Sequence, residues 1–219
     1  MSGLENVSES PEILKQVKHV SRETEQRLTV FHDLLVQWQA RINLIAPSTV
    51  GQIWSRHILD SVQIYQALEG ADDIVDIGSG AGFPGLIIAI IMAERGKGRV
   101  HLVESNGKKC AFLNTAIRQI GLKDCGLDIK VVNDRIEKAL PKIEPPQVVC
   151  ARALASLNDL LSLTQPYLQS GTLGVFPKGR GHELEIAEAR RHWSFDLAEQ
   201  QSQLQDGSVV LKISALKPC

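Results

Sequence analysis

Ile74-Val75-Asp76-Ile77-Gly78-Ser79-Gly80-Ala81-Gly82-Phe83-Pro84-Gly85 decides the fold of this chain. An apolar strand runs into a glycine-rich turn, and the apolar run Leu86–Met92 continues as a helix. Glycines let the backbone approach a nucleotide closely, and the next helix offers N–H groups without intrahelical partners. Gly80, Gly82 and Gly85 satisfy the dinucleotide pattern G-x-G-x-x-G. Gly78, Gly80 and Gly82, preceded by Asp76, satisfy D-x-G-x-G-x-G, the pattern of enzymes that use S-adenosylmethionine (SAM). Glycine spacing does not separate the two, but Asp76 favours the second. A carboxylate at the strand's end repels a pyrophosphate. It attracts an ammonium or sulfonium by about 4 kcal/mol at ~4 Å and an effective dielectric of ~20.

A second acid follows where either nucleotide needs one. Glu104 ends the strand candidate Arg99-Val-His-Leu-Val-Glu. An acid about 20 residues beyond the glycines, at a strand's end, accepts hydrogen bonds from ribose hydroxyls.

Outward from this pair, strands and helices alternate. Strands are expected at 73–77, 99–103, 127–132, 147–151 and 172–176, with helices at 84–94, 107–120 and 156–165 and a short turn near 136–140. That alternation predicts a parallel sheet with crossover helices. A further helix is expected at 181–192. Residues 194–203 and 208–216 then read as two strands joined by the hairpin signal Asp206-Gly207. The expected fold is α/β and Rossmann-like, of the class I SAM-dependent methyltransferase type. Its seven-stranded sheet is mostly parallel with an antiparallel terminal hairpin, and N-terminal helices are added to it. Upstream, Leu28, Phe31, Leu35, Trp38, Ile42 and Ile45 place one apolar face on a helix over 22–45, stopped by Pro47. A second helix is expected over 51–68. Residues 1–20 read as a loose tail or a short helix. Residues 1–70 are expected to form a helical extension packed on a SAM-binding domain at 71–219.

Composition narrows the rest. The 219 residues suffice for one substantial core and a small accessory element. The polar N-terminus Met1-Ser-Gly-Leu-Glu-Asn is no signal peptide, and no apolar run reaches the ~20 residues of a membrane span. Cys110, Cys125, Cys150 and Cys219 show neither C-x-x-C nor zinc spacing. They read as reduced thiols of a cytoplasmic protein, and no metal site is expected. With a net charge of −1, nucleic-acid binding would require a local basic patch.

Several residues occupy the carboxyl edge of the sheet, where open α/β folds bind ligands. Arg135-Ile136-Glu137 follows the third strand. The N–H of Ile136 and an acceptor at Glu137 can read adenine's edge, or the tripeptide simply starts a helix. Arg152 ends the fourth strand, suited to clamp the SAM carboxylate or an RNA phosphate. Lys178, with Arg180, follows the fifth strand and can hold phosphate. Lys108 and Lys109 read equally as solvated helix residues. Phe83 reads as a wall of the cofactor site or as a core contact. In Arg56-His57-Ile58-Leu59-Asp60-Ser61, residues four apart stack on a helix, which suits either a surface network or RNA contact.

Taken in order, Arg56-His-Ile-Leu-Asp-Ser, Asp76-Ile-Gly-Ser-Gly-Ala-Gly-Phe-Pro-Gly, Glu104-Ser-Asn-Gly-Lys-Lys-Cys-Ala-Phe-Leu, Arg135-Ile-Glu, Ala151-Arg-Ala-Leu-Ala-Ser-Leu-Asn-Asp and Phe176-Pro-Lys-Gly closely resemble the RsmG family, also called glucose-inhibited division protein B. The resemblance spans roughly 34–180. It departs at Pro177, where leucine is commoner, and at Ile87, where proline is frequent. It implies SAM-dependent methylation of guanine N7 in small-subunit (16S) ribosomal RNA, as free RNA or in an assembling 30S subunit. It also implies that Gly78 and Phe83 contact the cofactor, and a monomeric protein is expected. Guanine N7 carries a lone pair and no proton, so no general base is expected. Arg135, Arg152 and Lys178 are expected to position the substrate. Asp76, Gly78, Gly80, Gly82, Phe83, Glu104, Ile136, Glu137 and Arg152 are expected to hold SAM. Read without the resemblance, the residues leave two alternatives: a methyltransferase for another acceptor, or a non-catalytic Rossmann-type dinucleotide-binding module.

Overall fold

The structure is a computed structural model and describes residues 9–16, 20–202 and 207–219. Its sheet contains β1 (Asp73–Ile77), β2 (Arg99–Glu104), β3 (Asp128–Asn133), β4 (Val148–Cys150), β5 (Leu173–Lys178), β6 (Trp193–Gln201) and β7 (Val209–Pro218). Their spatial order is β3-β2-β1-β4-β5-β7-β6. The first five are mutually parallel, and β7 runs antiparallel between β5 and β6. The expected seven-stranded, mostly parallel sheet with its antiparallel terminal strand is therefore present. Asp206 of the expected hairpin turn lies outside the described residues, as do 1–8 and 17–19 of the N-terminal tail. Within that tail, Pro11–Gln16 forms a short 3-10 helix. β1 lies between β2 and β4, where the strand order reverses, so the loop after β1 opens into the crevice where such sheets take ligands.

Helix α3 (Gly85–Met92) explains the N-terminal helices. All eight of its residues are buried. A helix apolar on every side must be covered on every side. The sheet covers one flank. On the other lie α1 (Arg22–Gln39) and α2 (Leu59–Ala67), which share one apolar core with α3 and with α4 (Gly107–Ile120). Phe31 of α1 meets Phe83 edge-on at 5.4 Å and Phe112 of α4 at 6.1 Å.

The N-terminal helices depart from expectation in two places. Helix α1 ends at Gln39, well before Pro47. The Gln39 amide is the cause: its oxygen accepts from the N–H groups of Leu44 and Ile45, and its nitrogen donates to the Ile45 carbonyl. These bonds fold the chain back in place of another helical turn. The expected helix over 51–68 is three pieces: a 3-10 stretch Pro47–Gln52, a π-helical turn Trp54–Ile58, and α2. Conversely, α6 (Leu157–Gln169) runs past Gln165 and through Pro166. Its last turn is tied down by the buried Tyr167, whose hydroxyl donates to the carbonyls of Leu140 and Ile143.

Candidate functional site

The glycine loop divides into an inner and an outer half. Gly82 and Gly85 belong to the inner half. A Cβ on Gly82 would stand 2.8 Å from Leu86 Cβ, and one on Gly85 would stand 2.5 Å from both Asp76 Oδ2 and Leu102 Cδ2. A side chain at either position would collide with the packing of the loop and α3 against the sheet, so both positions require glycine. Gly78 and Gly80 form the outer half, both in the left-handed backbone region at φ +69° and +56°. A Cβ on Gly80 would find nothing nearer than the Gly78 carbonyl at 3.7 Å, whereas one on Gly78 would stand 2.7 Å from Leu154 Cδ1. The space above Gly80 is therefore open, while Leu154, a large apolar side chain left partly exposed, covers Gly78.

Asp76 also departs from expectation. It is fully buried (0% exposed), beneath the loop and not facing the cleft. Its Oδ2 accepts the N–H of Gly85 at 3.2 Å, at the start of α3. Its Oδ1 receives the Cys150 thiol at 3.7 Å. Burial pushes its pKa up to about 7, opposed by the hydrogen bonds it accepts. Asp76 thus anchors loop and helix; the direct ion pair expected with a cationic ligand is not available to it.

Glu104 keeps the expected position. It is 8% exposed at the end of β2. One carboxylate oxygen accepts the Gly80 N–H at 2.9 Å, and the other accepts the Asn106 N–H at 2.7 Å. Each carboxylate oxygen takes about two hydrogen bonds, so the pair retains capacity for two hydroxyls. The carboxylate is locked in orientation by the loop that would carry the ligand.

Ile136 and Glu137 open the short helix α5 (Ile136–Ala139) behind β3, with the exposed Arg135 at its N-cap. Arg135 Nε lies 3.7 Å from Glu137 Oε2. β3 is three strands from β4, about 14 Å at usual strand spacing. Arg135 therefore does not join Arg152 and Lys178 in one cluster.

Arg152 sits at the end of β4 and reaches into the π-helical turn. It donates to the Arg56 carbonyl at 3.0 Å and to His57 Nδ1, and lies 3.7 Å from Asp60. Its guanidinium covers the Phe83 ring at 5.0 Å, and His57 stacks on the same ring at 4.9 Å. Phe83 is consequently 5% exposed and held between core and cation, so what it can offer a ligand is its backbone. The Arg56-His-Ile-Leu-Asp block and Arg152, 95 residues apart in sequence at His57, are one constellation.

Electrostatics follow from that arrangement. Burial, then Arg152 and Arg56, press the His57 pKa down to about 3. His57 is neutral, accepting at Nδ1 from Arg152 and donating from Nε2 to Thr49 Oγ1 at 2.9 Å. Burial raises Asp60 to about 6, with Arg152 and Arg56 pulling it back. Asp60 is therefore mostly ionised at neutral pH.

A cavity of about 330 Å³ opens beside Arg152. Its walls include Asp60 and Gln63 of α2, Arg152 after β4, and Lys178 of β5 with Glu185 of α7 (His182–Ala189). Lys178 is not free to hold phosphate. Its side chain is 8% exposed, donating to Glu185 Oε2 at 2.6 Å and to the Ala155 carbonyl at 2.8 Å. The sequence offers no signal for Glu185 or Gln63, because only the fold brings them here, and Leu154 is marked only as part of the Ala151–Asp159 block. Among the described residues no cluster of metal-ligating side chains occurs, and no helix is long and apolar enough to cross a membrane.

Comparison with known proteins gives a family match and a fold match. Residues 24–209 match the family model described as "GidB: rRNA small subunit methyltransferase G". A ribosomal RNA small subunit methyltransferase G from Bartonella bacilliformis is 45% identical over 208 residues, covering 95% of this chain and 94% of that protein. One from Brucella ovis is 49% identical over 201 residues, covering 92% of each. Among solved structures, a methyltransferase from Geobacter sulfurreducens superposes with a TM-score of 0.56 at 11% identity, covering 93% of both chains. Magnesium protoporphyrin IX methyltransferase from Synechocystis, solved with SAM bound, gives 0.56 at 10% identity, covering 90% of this chain and 99% of that one. At such identities the structural matches speak for the fold alone.

Proposed function

The chain belongs to the rRNA small subunit methyltransferase G family, and from that premise we propose that it transfers a methyl group from SAM to N7 of a guanine in small-subunit ribosomal RNA. The observation that carries the cofactor reading is Glu104, buried, oriented by two backbone amides, and facing the open space at Gly80 of the glycine loop. A polar group so placed fits a ribose. Gly80 leaves open space beside that carboxylate, and Ile136 and Glu137, opening α5 after β3, are assigned to the adenine edge. When bound, SAM supplies a sulfonium methyl that a lone pair can displace.

The chain's own residues then have two tasks. They hold the acceptor base in line with the donor, and near-attack placement is worth roughly 7–11 kcal/mol at best. They also shape the charge around a purine that becomes cationic. Arg152 spans both tasks, touching Phe83 at the end of the glycine loop and lining the cavity beyond it. N7 loses no proton, so the site needs no base, and the neutral His57 serves to orient Arg152. N7 of a paired, stacked guanine lies in RNA's narrow major groove, so the target guanine enters unstacked. Arg56 and Arg180 are exposed and are assigned to phosphate contacts.

The test is to map methyl incorporation. Purified protein and labelled SAM are offered naked small-subunit RNA, assembled 30S subunits, protein and small molecules. Incorporation at a guanine N7 of small-subunit RNA, missing in RNA from cells lacking the protein, is the expected result. Methylation confined to another acceptor, or NAD bound in preference to SAM in calorimetry, refutes it.

A further inference from the structure

Residues 9–16 precede the family match, which begins at residue 24, yet they reach the π-helical turn Trp54–Ile58. Ile13 and Leu14 of the 3-10 helix Pro11–Gln16 are buried in the core shared by α1, α2 and α3, and that helix packs against the turn. The packing sets Glu9 at the start of the turn. Its Oε2 accepts the Trp54 N–H at 3.1 Å, and its Oε1 accepts the Ser55 hydroxyl. The turn needs an outside acceptor there, because Ile53, at its N-cap, offers no side-chain oxygen. N–H groups at the start of a helix have no intrahelical partner, and a carboxylate at that end is favoured by the helix dipole. Trp54 itself is buried, with His32 of α1 stacked on its ring at 5.3 Å. The next two residues of the same turn face the site. The Arg56 carbonyl and His57 Nδ1 accept the two hydrogen bonds that aim Arg152. Glu9 and Arg152 thus grip adjacent residue pairs of one five-residue turn, and π-helical turns occur mostly at functional sites.

We propose that Glu9 is a positioning residue for methyl transfer, fixing the turn whose Arg56 carbonyl and His57 aim Arg152. This rests on the methyltransferase reading above, in which Arg152 spans cofactor and acceptor. Glu9 acts through Arg152 and not on the reacting atoms. Hydrogen bonds weaken steeply as they lengthen and bend, so a turn that shifts slackens both bonds to the guanidinium. A group misplaced by about 1 Å costs up to about 100-fold in rate, even when the cause lies far from the chemistry. The buried Ile13 and Leu14 already hold the segment in place, so little further ordering opposes the two Glu9 bonds. The stretch that reads as a tail in the sequence is thereby a working part of the acceptor side of the site.

The experiment compares full-length wild type with Glu9→Ala by two readouts. The first is the single-turnover rate on small-subunit RNA at saturating SAM, which should fall about 10-fold, the worth of one hydrogen bond to a charged group. The second is the His57 imidazole, followed by NMR as pH is lowered. In wild type, burial and Arg152 keep it neutral to about pH 4. In Glu9→Ala the slackened Arg152 should let it take its proton about one pH unit higher or more. A merely structural role would lower the melting temperature and move neither readout in the folded variant. A His57 signal that titrates as in wild type overturns the inference, and so does a wild-type methylation rate. If Glu9→Ala fails to fold, Ser55→Ala removes one of the two bonds, and the same two readouts decide in it. Wild-type protein that methylates no small-subunit RNA overturns the functional reading and the inference with it; that failure is told apart by a His57 signal that still responds to Glu9.

Discussion

Replacing Gly85 by alanine sets two rules against each other. Gly85 is the first residue of α3, and by helix propensity alone alanine gains up to about 1 kcal/mol over glycine. The structure requires the opposite sign. The new Cβ would stand 2.5 Å from Asp76 Oδ2 and 2.6 Å from Asp76 Cβ, and Asp76 is fully buried with nowhere to retreat. Overpacking of this kind costs about 1–3 kcal/mol. Displacing Asp76 also breaks its bond to the Gly85 N–H and leaves a buried acceptor short of a donor, about 1–3 kcal/mol more. The expected loss is about 2–6 kcal/mol, a large share of the ~5–15 kcal/mol typical of a domain. Gly80→Ala is the matched control. It forces a side chain into the left-handed region at about 1–2 kcal/mol but meets no atom within 3.7 Å. Urea denaturation should separate the two in stability, and calorimetry with SAM should separate them in function. Gly80→Ala should fold and lose SAM affinity, because its methyl enters the open space facing Glu104. Equal stability of the two variants would refute the packing account of Asp76. Wild-type SAM affinity in Gly80→Ala would refute the assignment of the outer glycines to the ligand.

Glu104→Gln should weaken SAM binding by about 1–3 kcal/mol, since an amide turns a donor towards either the loop N–H groups or the ribose; unchanged affinity in calorimetry returns Glu104 to a loop-holding role. Lys178→Ala should cost about 1–3 kcal/mol of stability by removing the charged partner of Glu185 and the bond to the Ala155 carbonyl, and leave the salt dependence of RNA binding unchanged, whereas a salt slope lowered by about one at unchanged stability would return Lys178 to phosphate binding. His57 has its pKa depressed to about 3 in the folded protein, against an ordinary 6.5 for the unfolded chain. Its contribution to stability is therefore whole above pH 6.5 and lost as pH falls towards 3, by about 1–3 kcal/mol after solvent screening. Denaturation between about pH 7 and about pH 4 should show a smaller acid-side loss in His57→Gln than in wild type, and parallel curves would mean that His57 is charged in the folded protein. Asp60 and Asp76, raised to about 6 and about 7, act with the opposite sign and favour folding as pH falls through those values, so the comparison must be between variants and not within one curve.

The sheet is legible in the sequence because its signals are local. Each parallel strand is a short apolar run closed by a polar or glycine-rich turn, and Asp76 and Glu104 mark the ends of β1 and β2 by position alone. The ends of the N-terminal helices are not legible. Gln39 stops α1 with a side chain whose partners lie five and six residues on, a competition that periodicity does not register. The site is legible in membership and less so in role. The charge of Asp76 suggests a ligand contact, but its burial turns that charge to holding Gly85. Lys178 reads as free in the sequence because Glu185, on the helix beyond, carries no mark of its partner. Arg152 and Asp60 stand in separate sequence blocks, and only the fold places them 3.7 Å apart.

The π-helical turn at Trp54–Ile58 is a one-residue insertion in an otherwise helical segment. Such insertions are reversible: deleting one residue restores ordinary helical pitch and takes away the surplus residue that the wide turn presents. Here the seam passes through Arg56 and His57, which hold Arg152, and just ahead of Asp60. A length change that most surface helices absorb would unthread the acceptor half of the site while leaving the glycine loop and Glu104 intact. Among descendants of this chain, single-residue deletions between 53 and 59 should thus be a route to proteins that still bind the methyl donor but have no base to give it to.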